Sequence, residues 1–438
     1  MIVRELIAKK RDGGELTAQE IRDVVAGYTT AAISDADMAA LLRAIVLRGM
    51  TSRETADLTL AMVESGERLD LSRIPGSTVD KHSTGGVGDK TTLVVAPLVA
   101  SLGVPVPKMS GRALGHTGGT IDKLECIPGL TTDLSPERFC DQVAEIGVAI
   151  AAQTAEMVPA DRKIYALRDA TGTVESIPLI ASSVMSKKLA VGADGIVLDV
   201  KAGTGAFMSD VAAATRLAEA MVEIGSRAGK RVVALVTRME EPLGRAVGDA
   251  VELAEAIDTL RGEGRPDFLQ LCETVAGYML ALGGAARDAA EGEALARRGL
   301  LNGSGMAKLR EMIERQGGDA GVVDDPGSLT ANATQTPVTL TAAGTVAAID
   351  ARRIGLLVRE LKAAAGGGTA LCGLLLHKKT GDRVSSGEPV ATVLSPQGRG
   401  SAEETARQVA EAFQMGEPAA APDLVAAVVE TWPENARP

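Results

Sequence analysis

A chain of 438 residues in which 45% are hydrophobic but only 2% aromatic is expected to form two or three domains with aliphatic cores. The formal net charge of -11 argues against a nucleic-acid partner, because such a chain offers no basic domain to neutralise phosphates. Four scattered cysteines without a CxxC pair, a start without an apolar segment, and the lack of any run of about 18 apolar residues predict a cytoplasmic protein that does not span a membrane.

The first seventy residues are predicted to form helices. The segment LTAQEIRDVVAGY places apolar side chains at three- and four-residue spacing, and Thr17 followed by Glu20 gives the capping-box pattern at its start. The segments SDADMAALLRAIVLRGM and TSRETADLTLAMVESG repeat this design. Because a later stretch has the same helical character, we predict a small discontinuous all-helical domain of residues 1–70 and 160–192.

The intervening and following residues have the pattern of an α/β domain. GIVLDVKAG and KRVVALVTRM are short apolar runs that end in loops, and a strongly helical segment lies between them. This order of strand, helix and strand indicates a βαβ unit, so we predict a larger α/β domain with a mixed sheet over 77–159 and 193–335. Strands, a helix and glycine turns over 336–438 predict a C-terminal α+β module, and the overall fold class is α/β.

The segment DKHSTGGVGDKTT, residues 80–92, is predicted to bind phosphate. Its three glycines allow a tight turn that directs several backbone N–H groups at one anion, and Lys81 adds a positive charge. A helix beginning just after this loop would contribute its N-terminal dipole. A nucleotide P-loop is excluded, because its lysine directly follows the last glycine, whereas Asp89 intervenes here.

A second loop, KMSGRALGHTGGTIDKLE at residues 108–125, has the same ingredients of glycine, hydroxyl and cationic side chains. Two such loops at neighbouring strand ends would approach one anion from two sides. Two of the three histidines, His82 and His116, fall within the two loops. We expect His82 to take part in the chemistry and His116 to support its loop.

These two loops, together with ALRD, SIPLIASSVMSKKLA and VLDVKAGTGAFM, closely resemble the thymidine and pyrimidine-nucleoside phosphorylases over nearly the whole chain. The resemblance implies reversible phosphorolysis of uridine, thymidine and deoxyuridine to free base and ribose or 2-deoxyribose 1-phosphate, with no cofactor besides phosphate as co-substrate. It also implies a homodimer formed through the helical domain, and a cleft that closes on the substrates. A thymidine-restricted phosphorylase and, more distantly, an anthranilate phosphoribosyltransferase-like enzyme remain alternatives.

The resemblance also implies roles for individual residues. Three residues would act in catalysis, namely His82, Arg168 and Lys187. Six would hold phosphate, namely Lys81, Ser83, Thr92, Lys108, Ser110 and Thr120. The base would be bound by Arg168, Ser183 and Lys187, with Leu114, Ile180 and Phe207 along the apolar part of its pocket. Cationic donors suit this task, because negative charge develops on the leaving base. We hypothesise that His82 donates a proton or a hydrogen bond to that base.

Lys108 bears on the choice of sugar. It stands at a position where the resemblance places a methionine in the thymidine-restricted enzymes. Its ammonium group could reach a ribose 2′-hydroxyl, which favours an enzyme that accepts both uridine and thymidine.

Residue 90 departs from the pattern of the bacterial enzymes that this chain resembles. For those enzymes the resemblance implies a threonine at this position, as part of a potassium site. The other residues of that site are all present, namely Gly88, Leu243, Ala246 and Glu255. Because residue 90 is a lysine, we predict that its ammonium group takes the place of the ion, pairs with Glu255 and makes activity independent of potassium. The alternative is that Lys90 points to solvent and potassium still binds.

Overall fold

The computed structural model describes residues 3–113, 115–154, 156–366, 371–396, 402–418 and 423–431. The chain begins with helices α1 (Val3–Arg11), α2 (Ala18–Thr29), α3 (Asp35–Arg48) and α4 (Ser52–Glu64). There follow β1 (Val79–Ser83), α5 (Thr91–Ser101), β2 (Val106–Ser110), α6 (Thr120–Leu124), α7 (Pro136–Ile146) and β3 (Val148–Ala152). Next come α8 (Pro159–Thr171), α9 (Ile177–Val191), β4 (Gly195–Ala202), α10 (Val211–Arg227), β5 (Arg231–Arg238) and β6 (Ala246–Val247).

The second half of the chain is mainly helical before it returns to strands. It contains α11 (Asp249–Leu260), α12 (Pro266–Gly283), α13 (Ala289–Leu301), α14 (Ser304–Arg315) and two short 3-10 helices, Ala320–Val323 and Pro326–Thr330. The last elements are β7 (Ala333–Thr339), β8 (Gly344–Ile349), α15 (Ala351–Ala364), β9 (Gly373–Leu376), β10 (Arg383–Val384), β11 (Pro389–Pro396), α16 (Ala402–Ala410), β12 (Phe413–Met415) and β13 (Val425–Thr431).

Helices α1 to α4 pack together with α8 and α9. The capping box expected from the sequence is present at the start of α2, where Thr17 and Glu20 satisfy each other's backbone N–H groups. A buried ion pair between Lys10 of α1 and Glu54 of α4, with Nζ 2.8 Å from Oε2, joins two of the helices. This bundle is the predicted all-helical domain, and α8 and α9 bring one of its faces next to the α/β domain, where Lys188 of α9 bonds to Asp80 of β1.

The central sheet of the α/β domain has the strand order β1-β4-β5-β13. Strands β1, β4 and β5 are parallel, and β13 is antiparallel to β5, so the predicted mixed sheet is confirmed. The parallel pair of β2 and β3 lies beside β1, where the Val79 N–H donates to Pro105 O over 2.9 Å. Helix α5, TTLVVAPLVAS, is apolar on every side and buried. The loop that leads into it is therefore held at its carboxyl end by a well-packed helix.

Strand β13 belongs to a different sheet from the one that the predicted domain boundary implies. Its residues, 425–431, were assigned to the C-terminal module, but they pair with Val232–Thr237 of the central sheet. Without this strand, β5 would be an edge strand with unpaired backbone N–H and C=O groups. The alternation of side chains within one strand does not reveal which sheet it joins, so the sequence could not place it.

The C-terminal module has two small sheets, β6-β9-β11-β7 and β10-β8-β12, with helices α15 and α16. Its apolar side chains form a core of their own. Strand β6 reaches it from the α/β domain, because Ala246 and Val247 pair with β9. Within the described residues, no helix has both the length and the apolar character that crossing a membrane requires.

Candidate active site

Within the first predicted phosphate segment, residues 80–92, the loop of residues 84–90 connects the carboxyl end of β1 to helix α5. The loop is fixed to β4 at its start, where the Thr84 N–H donates to Asp199 O over 3.0 Å and the Thr84 hydroxyl accepts from the Lys201 N–H over 2.9 Å. At its end, the Asp89 carboxylate accepts from the N–H and the hydroxyl of Thr91, over 3.1 and 2.7 Å. Thr92 therefore lies in the first turn of a buried helix, as expected for an anion site.

Two buried lysines lie under this loop and share one carboxylate. The Nζ atoms of Lys81 and Lys201 lie 3.4 and 2.8 Å from Asp199 Oδ2, while Thr237 donates to Asp199 Oδ1 over 2.6 Å. Within the described part of the chain, neither ammonium group makes a hydrogen bond of good geometry. Although burial opposes it, the charges of Lys81 and Lys201 hold the pKa of Asp89 well below its usual range.

Lys201 was missed by the sequence reasoning. Its signal was available, because VLDVKAG places a lysine at the end of a buried strand, as VDKHS does for Lys81. The sequence does not show that both lysines contact Asp199, because that contact depends on the parallel register of β1 and β4.

A second pair of lysines lies at the end of β2. The Lys108 ammonium donates to Met109 O over 3.0 Å and lies 3.8 Å from Asp80 Oδ1. Lys188 of α9 donates to the same carbonyl over 3.2 Å and to Asp80 Oδ2 over 2.7 Å. Burial, and then the nearby charge of Lys188, hold the pKa of Lys108 well below its usual value. Lys188 and Asp80, which the sequence reasoning did not single out, thus connect helix α9 to the phosphate side.

Helix α9 brings two of the predicted base-binding residues together. Ser183 and Lys187 are one turn apart, and the Lys187 ammonium donates to the Ser183 hydroxyl over 3.0 Å. The same ammonium donates to Asp161 Oδ2 of α8 over 2.5 Å. Asp161 is a further residue that the sequence reasoning missed, and it holds Lys187 in position. Ile180 is half-buried one turn before Ser183, on the same helix.

Arg168 is buried and bonded to its own surroundings. Its Nε, Nη1 and Nη2 atoms donate to the carbonyl oxygens of Thr173, Leu179 and Val174 over 3.2, 3.0 and 2.6 Å. Burial lowers its pKa. A guanidinium has five N–H donors, so two remain for a bound base. The structure therefore gives Arg168 a part in shaping the turn between α8 and α9 besides its predicted part in base binding.

His82 is half-buried and surrounded by positive charge. Burial, and then the charges of Lys188, Lys108, Lys187 and Lys81, hold its pKa well below the usual range. The imidazole is therefore neutral near pH 7, a state in which it donates a hydrogen bond from one ring nitrogen.

Within the second predicted segment, residues 108–125, the part around His116 between β2 and α6 is supported from two sides. His116 Nε2 donates to Gly205 O over 3.2 Å, and its ring centroid lies 5.3 Å from that of Phe207. Helix α15 packs on the other side, where a Cβ on Gly355 would lie 2.4 Å from His116 O, so only glycine fits. Phe207 is 41% exposed beside this loop, and Leu114 lies outside the described residues.

The remaining predicted phosphate residues lie at the same edge of the fold. Ser83 ends β1 and accepts from the Gly85 N–H over 3.1 Å. Ser110 ends β2, and Thr120 begins α6. Because parallel strands carry their ligands at their carboxyl ends, hydroxyls and lysines of β1 and β2 face one region.

The oxygen atoms predicted for potassium surround an ammonium group instead. Lys90 Nζ donates to Leu243 O over 2.7 Å and to Ala246 O over 3.3 Å, and it lies 2.5 Å from Glu255 Oε2. The Lys90 side chain is 0% exposed, so it does not point to solvent. The Lys90 ammonium group thus lies among the oxygen atoms that the resemblance assigns to potassium.

The class of protein follows from matches to family models, which divide the chain as the fold does, into a helical bundle and an α/β domain. The chain matches the glycosyl transferase family models for the helical bundle domain over residues 4–66 and for the a/b domain over residues 75–306. It also matches the pyrimidine nucleoside phosphorylase C-terminal domain over residues 345–415.

Curated relatives give the particular family. The pyrimidine-nucleoside phosphorylase of Geobacillus stearothermophilus is 50% identical over 399 residues, which are 89% of this chain and 91% of the relative. That of Bacillus subtilis (strain 168) is 48% identical over 429 residues, or 96% and 98% of the two chains. The chain therefore belongs to the pyrimidine-nucleoside phosphorylase family, and the resemblance seen in its motifs is confirmed.

A solved structure shows the shared fold. Anthranilate phosphoribosyltransferase from Thermus thermophilus matches with a TM-score of 0.58 at 24% identity, covering 71% of this chain and 98% of that one. This likeness concerns the fold alone.

Proposed function

We propose that the protein catalyses the reversible phosphorolysis of uridine, thymidine and deoxyuridine to the free base and ribose or 2-deoxyribose 1-phosphate. The observation that carries the proposal is the arrangement of two cationic sites on facing elements. Lys81 of β1 and Lys201 near the carboxyl end of β4 share Asp199, and Lys187 with Ser183 lies on α9. Lys188, bonded to Asp80, joins the two sites. The names of the relatives at about half identity support the same reaction.

The chemistry follows from where charge develops. Phosphate, held above Lys81 by the loop N–H groups, attacks the anomeric carbon as the glycosidic bond breaks. The leaving pyrimidine gains negative charge. The Lys187 ammonium is suited to donate to its carbonyl oxygen, and the Ser183 hydroxyl oxygen is suited to accept from its ring N–H. Because this negative charge is largest near the transition state, the cationic donor stabilises the transition state more than it stabilises the bound nucleoside.

His82 acts in this proposal as a hydrogen-bond donor to the leaving base. Burial, and then the positive charges around it, lower the pKa of His82 and disfavour the imidazolium form, so the neutral ring supplies an N–H and no net charge. Of the two actions hypothesised from the sequence, proton donation and hydrogen bonding, the lowered pKa favours the second.

The same proposal includes closure of the helical domain over the phosphate loop, which would exclude water from the reacting atoms. It also includes a homodimer formed through the helical domain. Sedimentation of the purified protein measures the oligomeric state directly.

The test is an assay of base release by the purified protein from uridine, thymidine and cytidine, with and without phosphate. We expect release from uridine and thymidine only when phosphate is present. Release from thymidine alone would keep the mechanism and favour the thymidine-restricted alternative. No release from any nucleoside would contradict the proposed function.

Lys108→Met tests the role of Lys108 in accepting ribonucleosides. Loss of one hydrogen bond to a ribose 2′-hydroxyl is expected to lower the ratio of kcat/KM for uridine to that for thymidine about tenfold. Lys108→Arg, which keeps a cationic donor at the end of β2, is the control and should retain more of the uridine activity. An unchanged ratio in Lys108→Met would contradict this role.

A further inference from the structure

Three oxygen atoms surround the Lys90 ammonium group. Its three contacts are the carbonyl oxygens of Leu243 and Ala246 and the carboxylate of Glu255, at 2.7, 3.3 and 2.5 Å. Two of the three N–H donors of the ammonium are used on the two carbonyl oxygens, and the Glu255 carboxylate balances its charge as an ion pair. The Phe268 ring lies below, with its centroid 4.8 Å from Nζ, and adds a cation–π contact.

The oxygen set is itself strongly organised. Glu255 Oε2 accepts from the Ala246 N–H over 2.8 Å, and Glu255 Oε1 accepts from the Arg245 N–H over 2.8 Å. Behind the ammonium, a Cβ on Gly88 (φ +77°) would lie 2.7 Å from Leu243 O, so the loop approaches this segment closely. Two carbonyls and a carboxylate would equally suit a monovalent metal ion, but one buried pocket cannot hold two cations in contact.

We infer that Lys90 is a built-in cation that replaces an exchangeable potassium ion and fixes the position of the phosphate loop. Lys90 is the N-cap residue of α5, and Asp89 beside it accepts from the N–H and the hydroxyl of Thr91. Its side chain ties this point to segment 243–246, which leads into helix α11 through β6. Lys90 is thus a positioning residue, which acts on phosphate through the loop and α5.

The anchored segment is held from its other side as well. Lys379, from the C-terminal module, donates to the carbonyl oxygens of Pro242 and Gly244 and lies 3.1 Å from Asp267 Oδ2. Buried ammonium groups thus bond to the segment around residues 242–246 from both sides, so the carbonyl oxygens that Lys90 contacts are held in place. Removal of its charge would leave Glu255 and two carbonyls without their partner.

The test compares thermal unfolding in potassium, sodium and choline chloride at equal ionic strength, and it needs no turnover. For the unchanged protein we expect the same Tm in all three salts. Lys90→Thr opens the pocket and adds a hydroxyl oxygen, so we expect a lower Tm in choline that potassium raises by about 3 °C or more. Lys90→Met fills the pocket with an uncharged chain and is the control, which potassium should not rescue.

The kinetic arm rests on the proposed function. Lys90→Thr should show a KM for phosphate that falls at least about tenfold on adding potassium, whereas the unchanged protein should show no dependence. An inactive protein with the expected Tm pattern would contradict the proposed function and leave the Lys90 inference standing.

Two outcomes would overturn the inference. One is a Tm of the unchanged protein that rises specifically with potassium. The other is a folded Lys90→Thr variant that does not respond to potassium. If that variant does not fold, anomalous diffraction from rubidium-soaked crystals of the unchanged protein decides the question. We expect no rubidium between Leu243 O and Glu255, and a rubidium peak there would overturn the inference.

Discussion

Lys81→Met is expected to lower kcat/KM for phosphorolysis by about 10²–10³-fold while the protein stays folded. The loss follows from the position of the Lys81 ammonium, which is buried beneath the phosphate loop and makes no good hydrogen bond within the described residues. A group with unused donors is available to a bound anion. The effect should appear mainly in kcat/KM for phosphate, which is measured by varying the phosphate concentration at saturating nucleoside.

The fold should tolerate this change because Asp199 keeps another cation. Lys201 lies closer to the carboxylate than Lys81 does, 2.8 Å against 3.4 Å, and Thr237 still donates to the other oxygen. Lys201→Met is the matched variant, and it should lose more stability because it removes the closer partner of a buried carboxylate. Nearly full activity in Lys81→Met, with unchanged phosphate dependence, would show that phosphate is held elsewhere.

Arg168→Lys is expected to lower the free energy of unfolding by about 3 kcal/mol. Three carbonyl oxygens, those of Thr173, Val174 and Leu179, accept from one planar guanidinium. A lysine ammonium cannot reach all three in the same geometry, so buried acceptors lose their partners. Urea denaturation monitored by circular dichroism measures the change, and a difference in midpoint without a difference in slope would attribute it to stability.

Arg162→Lys provides the control for this prediction. Arg162 is exposed on the same helix, so the same substitution there should change stability by no more than about 0.5 kcal/mol. Arg168→Lys should also raise the KM for nucleoside, because the turn that it shapes leads into α9 with Ser183 and Lys187. Equal stabilities of the two variants would mean that the three carbonyl contacts contribute little.

The sequence predicted those features that depend on local pattern. The capping box at Thr17 and Glu20, the glycine turn before α5 and the βαβ order around α10 all follow from neighbouring residues, and each is present. The two loops were recognisable because phosphate sites combine glycine, hydroxyl and cationic residues over a short stretch. The family was recognisable for the same reason, since its longest motif is contiguous.

Other features depend on contacts between distant residues. Asp161 with Lys187, and Asp80 with Lys188, are pairs separated by 26 and 108 positions, and nothing in the local sequence couples them. The burial that lowers the pKa of His82 likewise arises from the packing of several elements, and so does the enclosure of Arg168. Whether the Lys90 side chain is buried or exposed to solvent could also be determined only from the structure.

The pairing of β13 with β5 has a consequence for how the protein is made. The ribosome has to synthesise residues up to about 431 before the strand that covers the edge of β5 exists. Until then the apolar run RVVALVTR, residues 231–238, presents an open edge to other nascent chains. The central sheet is therefore completed only after residues 425–431 have been made, and the open edge of β5 favours aggregation until then.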